Sequence, residues 1–346
     1  MNKIPMKFIS QEDVAEIFKG DADTLFEVIE DAFMKYLHGS VLFPDKISQI
    51  FDQETQNRIN CMPATLLGND MVCGIKWVSV FPTNAPKGIQ NVTGVMLLSE
   101  INNGFPIAVI DGTLATKMRT SGVGCVAAKY LAPSKVEKIG IIGSGEEARM
   151  HFAMLKHMFP TIKECRVSSR SATSEEAFIA KFKDIATDVN FVACGNDSYK
   201  CASGVDIIVT AISGQAPVLK ARDITKGGLY IHVGGWEDEF EVALKAKKIV
   251  CDDWEASKHR TQTICRMYKE GILKDHDIYA NLSDLISGQK KGRENDDEFI
   301  YFNSVGLSYI DLNFANYIYK EAIKRGLGKD VVLAEDNEVD YASIIY

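Results

Sequence analysis

The sequence predicts an α/β protein in which a smaller α+β domain precedes a doubly wound parallel sheet. Between residues 46 and 110, short β-type runs follow one another with only Asn, Gly and Pro between them. From Pro133 onward, strand-like and helix-like stretches alternate, and the first of those strands ends in a glycine-rich turn that opens a helix. The length, 346 residues, suits two domains at about 100–200 residues each.

Taken in order, residues 11–19 and 21–37 are two helices separated by Gly20, the second with Leu25, Phe26, Ile29, Phe33 and Leu37 at helical spacing. The runs ISQIF, RINCMP, VCGIKWVSVF, VTGVMLLSE and FPIAVIDG are strands. Turns as short as Asn102-Asn103-Gly104 leave no room for crossover helices, so this sheet is mostly antiparallel. Residues 113–131, rich in Ala, Val and Gly, form a helix. KIGII (138–142), CRVSS (165–169), VDIIVTAI (205–212), LYIHV (229–233) and KIVCD (248–252) are the later strands. Their alternation with helices implies right-handed βαβ units and a parallel sheet. Residues 126–306 are assigned to this domain. Residues 1–125 form the other, completed by a returning tail, 307–346, that is helical over 310–325. The charged segment 287–299 is expected to be a solvated loop.

Composition narrows the function. With 46% hydrophobic and 25% charged residues the chain is an ordinary globular protein. Lys plus Arg number 39 against 47 for Asp plus Glu, a net charge of −8 that argues against non-specific binding to nucleic acid or anionic membrane. A small molecule is the expected partner. No stretch of ~18 unbroken apolar residues occurs, and the start, MNKIPMKFISQEDV, lacks a secretory apolar run, so a cytoplasmic location is expected. The eight cysteines are scattered without a C-x-x-C pair, which reads as reduced, mostly buried thiols rather than a metal or disulfide framework.

Gly143-Ser144-Gly145-Glu146-Glu147-Ala148 fits G-x-G-x-x-A directly after an apolar strand. There the first glycine permits a tight turn, the second lets the backbone approach a pyrophosphate, and the small third residue packs helix on strand. The phosphate meets the free amides at the helix N-terminus. An acid at the end of the second strand would bind the ribose 2′-OH and repel a 2′-phosphate. This chain has Ser168-Ser169-Arg170-Ser171 instead, so NADP(H) is preferred and NAD(H) remains possible.

CGIKWVSVFP, PIAVIDGTLATKMRTSGVGCVAAKYLA, IGIIGSGEEARMHF and FNSVGLSYIDLNFANYIYKEA together resemble the ornithine cyclodeaminase/mu-crystallin family across nearly the whole chain and in the family's order. DDWEASKHRTQTI and GRENDDEFIYFNSVGLSYIDL look like the branch holding a siderophore-pathway enzyme that oxidatively releases 2,3-diaminopropionate from a glutamate conjugate. The resemblance implies a Rossmann domain joined to a substrate and dimerisation domain, a homodimer formed through the first domain's sheet, and hydride passage between nicotinamide and the α-carbon of an amino or imino acid. It implies that Lys46, Lys76 in GIKW and Arg119 in MRTS hold the substrate carboxylate. On the cofactor side it adds Glu146 and Glu147 by their amides, Thr210, the Val233-Gly234-Gly235 turn and Ser304, with Val305 near the nicotinamide and the substrate. Asp311 lies in the matching tail motif, with helix capping, a salt bridge and catalysis as alternatives.

One departure matters. Ornithine cyclodeaminases carry an acid directly after the V-G-G turn, where it acts on the substrate amine, and here that residue is Trp236. Glu237 and Asp238 follow, and a small register shift presents either as acid or base. The resulting expectation is an NAD(P)H-dependent oxidoreductase at the C–N bond of an amino-acid-derived substrate. The alternatives are an ornithine or lysine cyclodeaminase with no net redox change, and a mu-crystallin-type protein that binds NADPH and a small ligand.

Overall fold

The computed structural model describes residues 3–335 and 341–345. By packing, the chain divides into two units, Met1–Lys19 with Ser40–Ala115 and Asp311–Tyr346, and Gly20–Gly39 with Thr116–Ile310. The helix Ala22–Leu37, grouped by the sequence reading with the first domain, thus belongs to the second unit. There Leu25 and Ile29 lie against Gly122, whose missing side chain lets the two helices meet.

In the first unit an eight-stranded sheet runs in the order Lys329–Glu335, Lys3–Ile9, Pro106–Asp111, Val92–Ser99, Val72–Val80, Arg58–Leu66 and Val41–Leu42, with Ile47–Ile50 also paired to Arg58–Leu66. The strands of residues 47–110 are antiparallel throughout, as short turns require. The two terminal strands were not legible in the sequence. They pair with each other, and Lys3–Ile9 is parallel to Pro106–Asp111, the one parallel pairing described in this sheet. Alternation buries Met62, Ala64, Leu66, Val72, Val78, Met96, Leu98, Ala108 and Ile110 on one face. Helix Gln11–Ile17 starts with a capping box between Ser10 and Asp13. Phe18 beyond it stacks on Phe314 of the tail helix with centroids 4.8 Å apart.

In the second unit every strand pairing is parallel. The order is Asn190–Ala193, Glu164–Ser168, Lys138–Ile142, Ile207–Thr210, Gly228–His232, Phe299–Asn303, Lys248–Cys251, Ala280–Asn281. Chain direction across the sheet reverses between Lys138–Ile142 and Ile207–Thr210, the switch point of a doubly wound fold. Three of these strands, Asn190–Ala193, Ala280–Asn281 and Phe299–Asn303, are additions to the sequence reading. The charged segment 287–299 is also less free than expected. Arg293 within it donates to the carbonyls of Leu131, Gly228, Asn295 and Glu298, which pins the loop to the sheet and to the end of helix Gly112–Leu131.

Six of the eight cysteines are buried. Among the described residues no helix is long and apolar enough to cross a membrane.

Candidate active site

The carboxyl ends of the parallel strands gather most residues expected to meet a cofactor. Strand Lys138–Ile142 delivers Gly143, strand Glu164–Ser168 ends in Ser168, Ile207–Thr210 ends in Thr210, Gly228–His232 leads into Val233, and Phe299–Asn303 leads into Ser304. Gly143 has φ of +116° and faces the carbonyl of Ala211, so a side chain there would be strained and would clash. Gly145 is the N-cap of helix Glu146–Met158 without a side-chain cap, and nothing lies within 4 Å of where its Cβ would be. Bare amides at a helix N-terminus facing open space fit a pyrophosphate. Ala148 is fully buried under the turn. Glu146 turns its carboxylate to Arg149 at 2.7 Å and Lys117 at 3.8 Å, leaving only its backbone for a ligand.

At the end of the second strand, Arg170 is exposed. The three serines have other work. Ser168 donates to the Gly195 carbonyl (2.7 Å), Ser169 to the Ser171 carbonyl (2.9 Å), and Ser171 caps helix Ala172–Phe182. Behind them the buried carboxylate of Glu175 accepts from the amides of Ser169 (2.6 Å) and Gly195 (2.9 Å), tying the loops after two strands together. Sequence reasoning missed Glu175; an acid in the first turn of a serine-capped helix is its signal.

The carboxylates after the V-G-G turn are enclosed by side chains and amides of the second unit. Glu237 is fully buried and accepts from Thr210 Oγ1 (2.7 Å), the Ile212 amide (2.7 Å) and the Gly234 amide (2.9 Å). Asp238, also fully buried, accepts from Thr263 (2.6 Å), Tyr301 (3.1 Å) and Tyr230 (3.3 Å), with His232 Nε2 at 3.4 Å. Burial pushes the Asp238 carboxyl up to about 6, against the pull of His232, Thr263 and Tyr301. Both side chains point into the interior beneath the turn, where they meet donors of the protein itself. The Thr210 hydroxyl is held in the same network, shared with Tyr230 and Glu237. Trp236, half-buried, stacks under the Arg266 guanidinium at 4.7 Å.

Arg119, on the small-residue helix Gly112–Leu131, is buried and reaches the turn after strand Phe299–Asn303. A Cβ on Gly306 would lie 2.7 Å from its Nη1.

In the first unit, Lys76 sits on the buried face of its strand between its cross-strand partners Met62 and Met96. Its ammonium lies 2.6 Å from the Asp311 carboxylate, and both side chains are at most 2% exposed. Of the alternatives open for Asp311, the salt bridge is realised. Lys46 is half-buried in the loop before strand Ile47–Ile50.

The sequence profile of the ornithine cyclodeaminase/mu-crystallin family matches residues 6–326. The chain is 31% identical to the alanine dehydrogenase of Archaeoglobus fulgidus over 327 residues, 93% of this chain and 97% of that protein. It is 26% identical to the N-((2S)-2-amino-2-carboxyethyl)-L-glutamate dehydrogenase of Staphylococcus aureus, again over 93% of this chain and 97% of that protein. The solved structure of Thermococcus litoralis Delta(1)-pyrroline-2-carboxylate reductase in complex with NADH and L-proline matches with a TM-score of 0.88 and 28% identity, covering 94% of this chain and 100% of that one.

Proposed function

The chain belongs to the ornithine cyclodeaminase/mu-crystallin family, and from that premise we propose that it is a nicotinamide-dinucleotide-dependent oxidoreductase acting on the C–N bond of an amino acid, an amino-acid conjugate or the corresponding imine. The dinucleotide, when bound, supplies or accepts the hydride at the substrate α-carbon. The amides of Gly145, Glu146 and Glu147 would hold its pyrophosphate, and the Val233-Gly234-Gly235 turn, Ser304 and Val305 would hold its nicotinamide end. Lys76 and Arg119, helped by Lys46, bind the substrate carboxylate and so orient the α-carbon.

The observation that carries this reading is the buried ammonium of Lys76. A methionine in that place would match its neighbours Met62 and Met96, whereas burying an ion pair costs several kcal/mol per ion before its attraction is counted. A pair kept at that cost is explained by an anionic ligand and by proton exchange at the substrate nitrogen, which falls to Lys76 with Asp311 once Glu237 and Asp238 are turned inward. The names of the three similar proteins, each for chemistry on an amino acid, an amino-acid conjugate or a cyclic imino acid, support the same class.

Trp236 in place of an acid favours simple dehydrogenation or imine reduction over ring closure with loss of ammonia. For the cofactor we propose a preference for NADP(H), supported by the exposed Arg170 and the absence of an acid from 168–171. We also assign a second copy of the chain to the open face of the first unit's sheet. There Phe8, Trp77 and Val95 are 46%, 42% and 44% exposed, with Trp77 and Val95 directly opposite each other.

The test is nicotinamide absorbance at 340 nm with the purified protein and a panel: NADPH or NADH with pyruvate and ammonia or with Delta(1)-pyrroline-2-carboxylate, and NADP+ or NAD+ with N-(2-amino-2-carboxyethyl)-L-glutamate in the oxidative direction. Turnover of one of them, lost in Lys76→Met and Arg119→Ala, is the expected result. No absorbance change with any of the three overturns the reading.

A further inference from the structure

Strands Lys248–Cys251 and Phe299–Asn303 run side by side with Cys251 opposite Asn303, so Asp252 and Ser304 leave the sheet together. The Asp252 amide still donates to the Asn303 carbonyl at 3.0 Å. Its side chain is 1% exposed and has turned onto the neighbouring strand's exit. Oδ2 accepts from the Val305 amide (2.8 Å), the Gly306 amide (2.9 Å) and Ser304 Oγ (3.4 Å). Oδ1 accepts from the Asp253 amide (2.9 Å) and Ser257 Oγ (3.5 Å). Two successive amides aimed at one oxygen curl the chain around it, and Gly306 completes the curl at φ +78°. The outer side of that curl is the seat of Arg119: a Cβ on Gly306 would lie 2.7 Å from Nη1, 3.0 Å from Nη2 and 3.2 Å from Cζ.

We propose that Asp252 is a positioning residue for the substrate carboxylate: by fixing the Ser304-Val305-Gly306 turn it sets where the Arg119 guanidinium stands. The inference rests on Arg119 being the carboxylate-binding cation. A bidentate fork binds well only when its plane is placed to within a fraction of an ångström, and misplacement by 1 Å costs on the order of 100-fold in rate. Among the contacts just named, Asp252 is held by N–H and O–H donors, which suits an oriented anchor for backbone. An amide in its place would set an NH2 group against one of those donors.

The experiment compares Asp252→Asn, Gly306→Ala and Arg119→Ala in the whole enzyme, using whichever of pyruvate with ammonia, Delta(1)-pyrroline-2-carboxylate or the glutamate conjugate turns over. Dinucleotide affinity is followed separately by nicotinamide fluorescence. Asp252→Asn and Gly306→Ala are expected to raise substrate KM about 10-fold or more while changing dinucleotide Kd less than about 2-fold. Gly306→Ala should add nothing to KM in the Arg119→Ala background. If Asp252→Asn does not fold, Asp252→Ser, which keeps one acceptor oxygen in a smaller side chain, takes its place and is held to the same outcomes. Unchanged substrate KM in the positioning variants, with KM raised in Arg119→Ala, overturns the inference and leaves the proposed function standing, as does an equal loss of dinucleotide affinity. An Arg119→Ala enzyme with unaltered KM overturns the assignment of Arg119 itself.

Discussion

Removing Asp311 should cost far more stability than removing the Lys76–Asp311 pair together. In Asp311→Ala the Lys76 ammonium stays at 1% exposure on the inner sheet face, between Met62 and Met96, without the carboxylate 2.6 Å away. Breaking a buried pair by deleting one partner costs about 3–5 kcal/mol, which would lower Tm by ~4–7 °C in a chain of this size. In Lys76→Met/Asp311→Leu both charges are gone and the new side chains continue the apolar face, so the double variant should lie within ~1 kcal/mol of wild type or above it. The assay is urea unfolding followed by tryptophan fluorescence at neutral pH, with nicotinamide turnover measured on the same preparations. The double variant is expected to regain stability while remaining inactive, which separates a chemical reason for the pair from a structural one. A cost below ~1 kcal/mol for Asp311→Ala, or a double variant as unstable as the single one, would refute the reasoning.

Three further outcomes follow from the same geometry. Arg170→Ala should weaken NADPH by roughly 10-fold, about 1.4 kcal/mol for one exposed charge-assisted contact, and leave NADH within 2-fold; equal effects on both dinucleotides would remove Arg170 from the phosphate. Because Asp238 is pushed up to about 6 from an ordinary carboxylate value of 3.8, the folded state holds a proton that the unfolded chain has lost between about pH 4 and 6. Its contribution to stability is therefore full below about 4 and is lost as pH rises through 6, ~3 kcal/mol at 1.36 kcal/mol per pH unit. Urea midpoints across that range should fall less steeply in Asp238→Asn than in wild type, and parallel profiles would contradict this. Trp77→Glu, which places a charge on the open sheet face opposite Val95, should yield a monomer by light scattering where wild type is expected to give a dimer; an unchanged mass would move the interface elsewhere.

Features governed by neighbours in sequence were legible. The glycine turn is one, since the φ of +116° at Gly143 and the helix opening at Glu146 are set within a few residues. The antiparallel strands of the first unit are another, because alternation and short turns are local properties. Three strands of the second unit escaped the sequence reading. Phe299–Asn303 begins where the charged segment 287–299 ends, Ala280–Asn281 is only two residues long, and Asn190–Ala193 is a four-residue edge strand. The terminal strand Lys329–Glu335 pairs with Lys3–Ile9 across nearly the full chain, and Lys3–Ile9 with Pro106–Asp111, about a hundred residues away in sequence.

The sequence by itself determined which residues carry unusual chemistry for their surroundings: a lysine in an apolar strand, an arginine in a small-residue helix, a glycine turn before a bare helix end, and two acids after a second glycine turn. Only the tertiary structure decided which donors each acid meets. Glu237 and Asp238 look available in sequence, yet Thr210, Tyr230, Thr263 and Tyr301 converge on them from other elements and draw them inward. Asp311 and Asp252, ambiguous or silent in sequence, meet Lys76 and the Val305–Gly306 amides. The physical reason is that a carboxylate's role depends on which donors surround it and whether water reaches it, and both are set by contacts between segments distant in the chain.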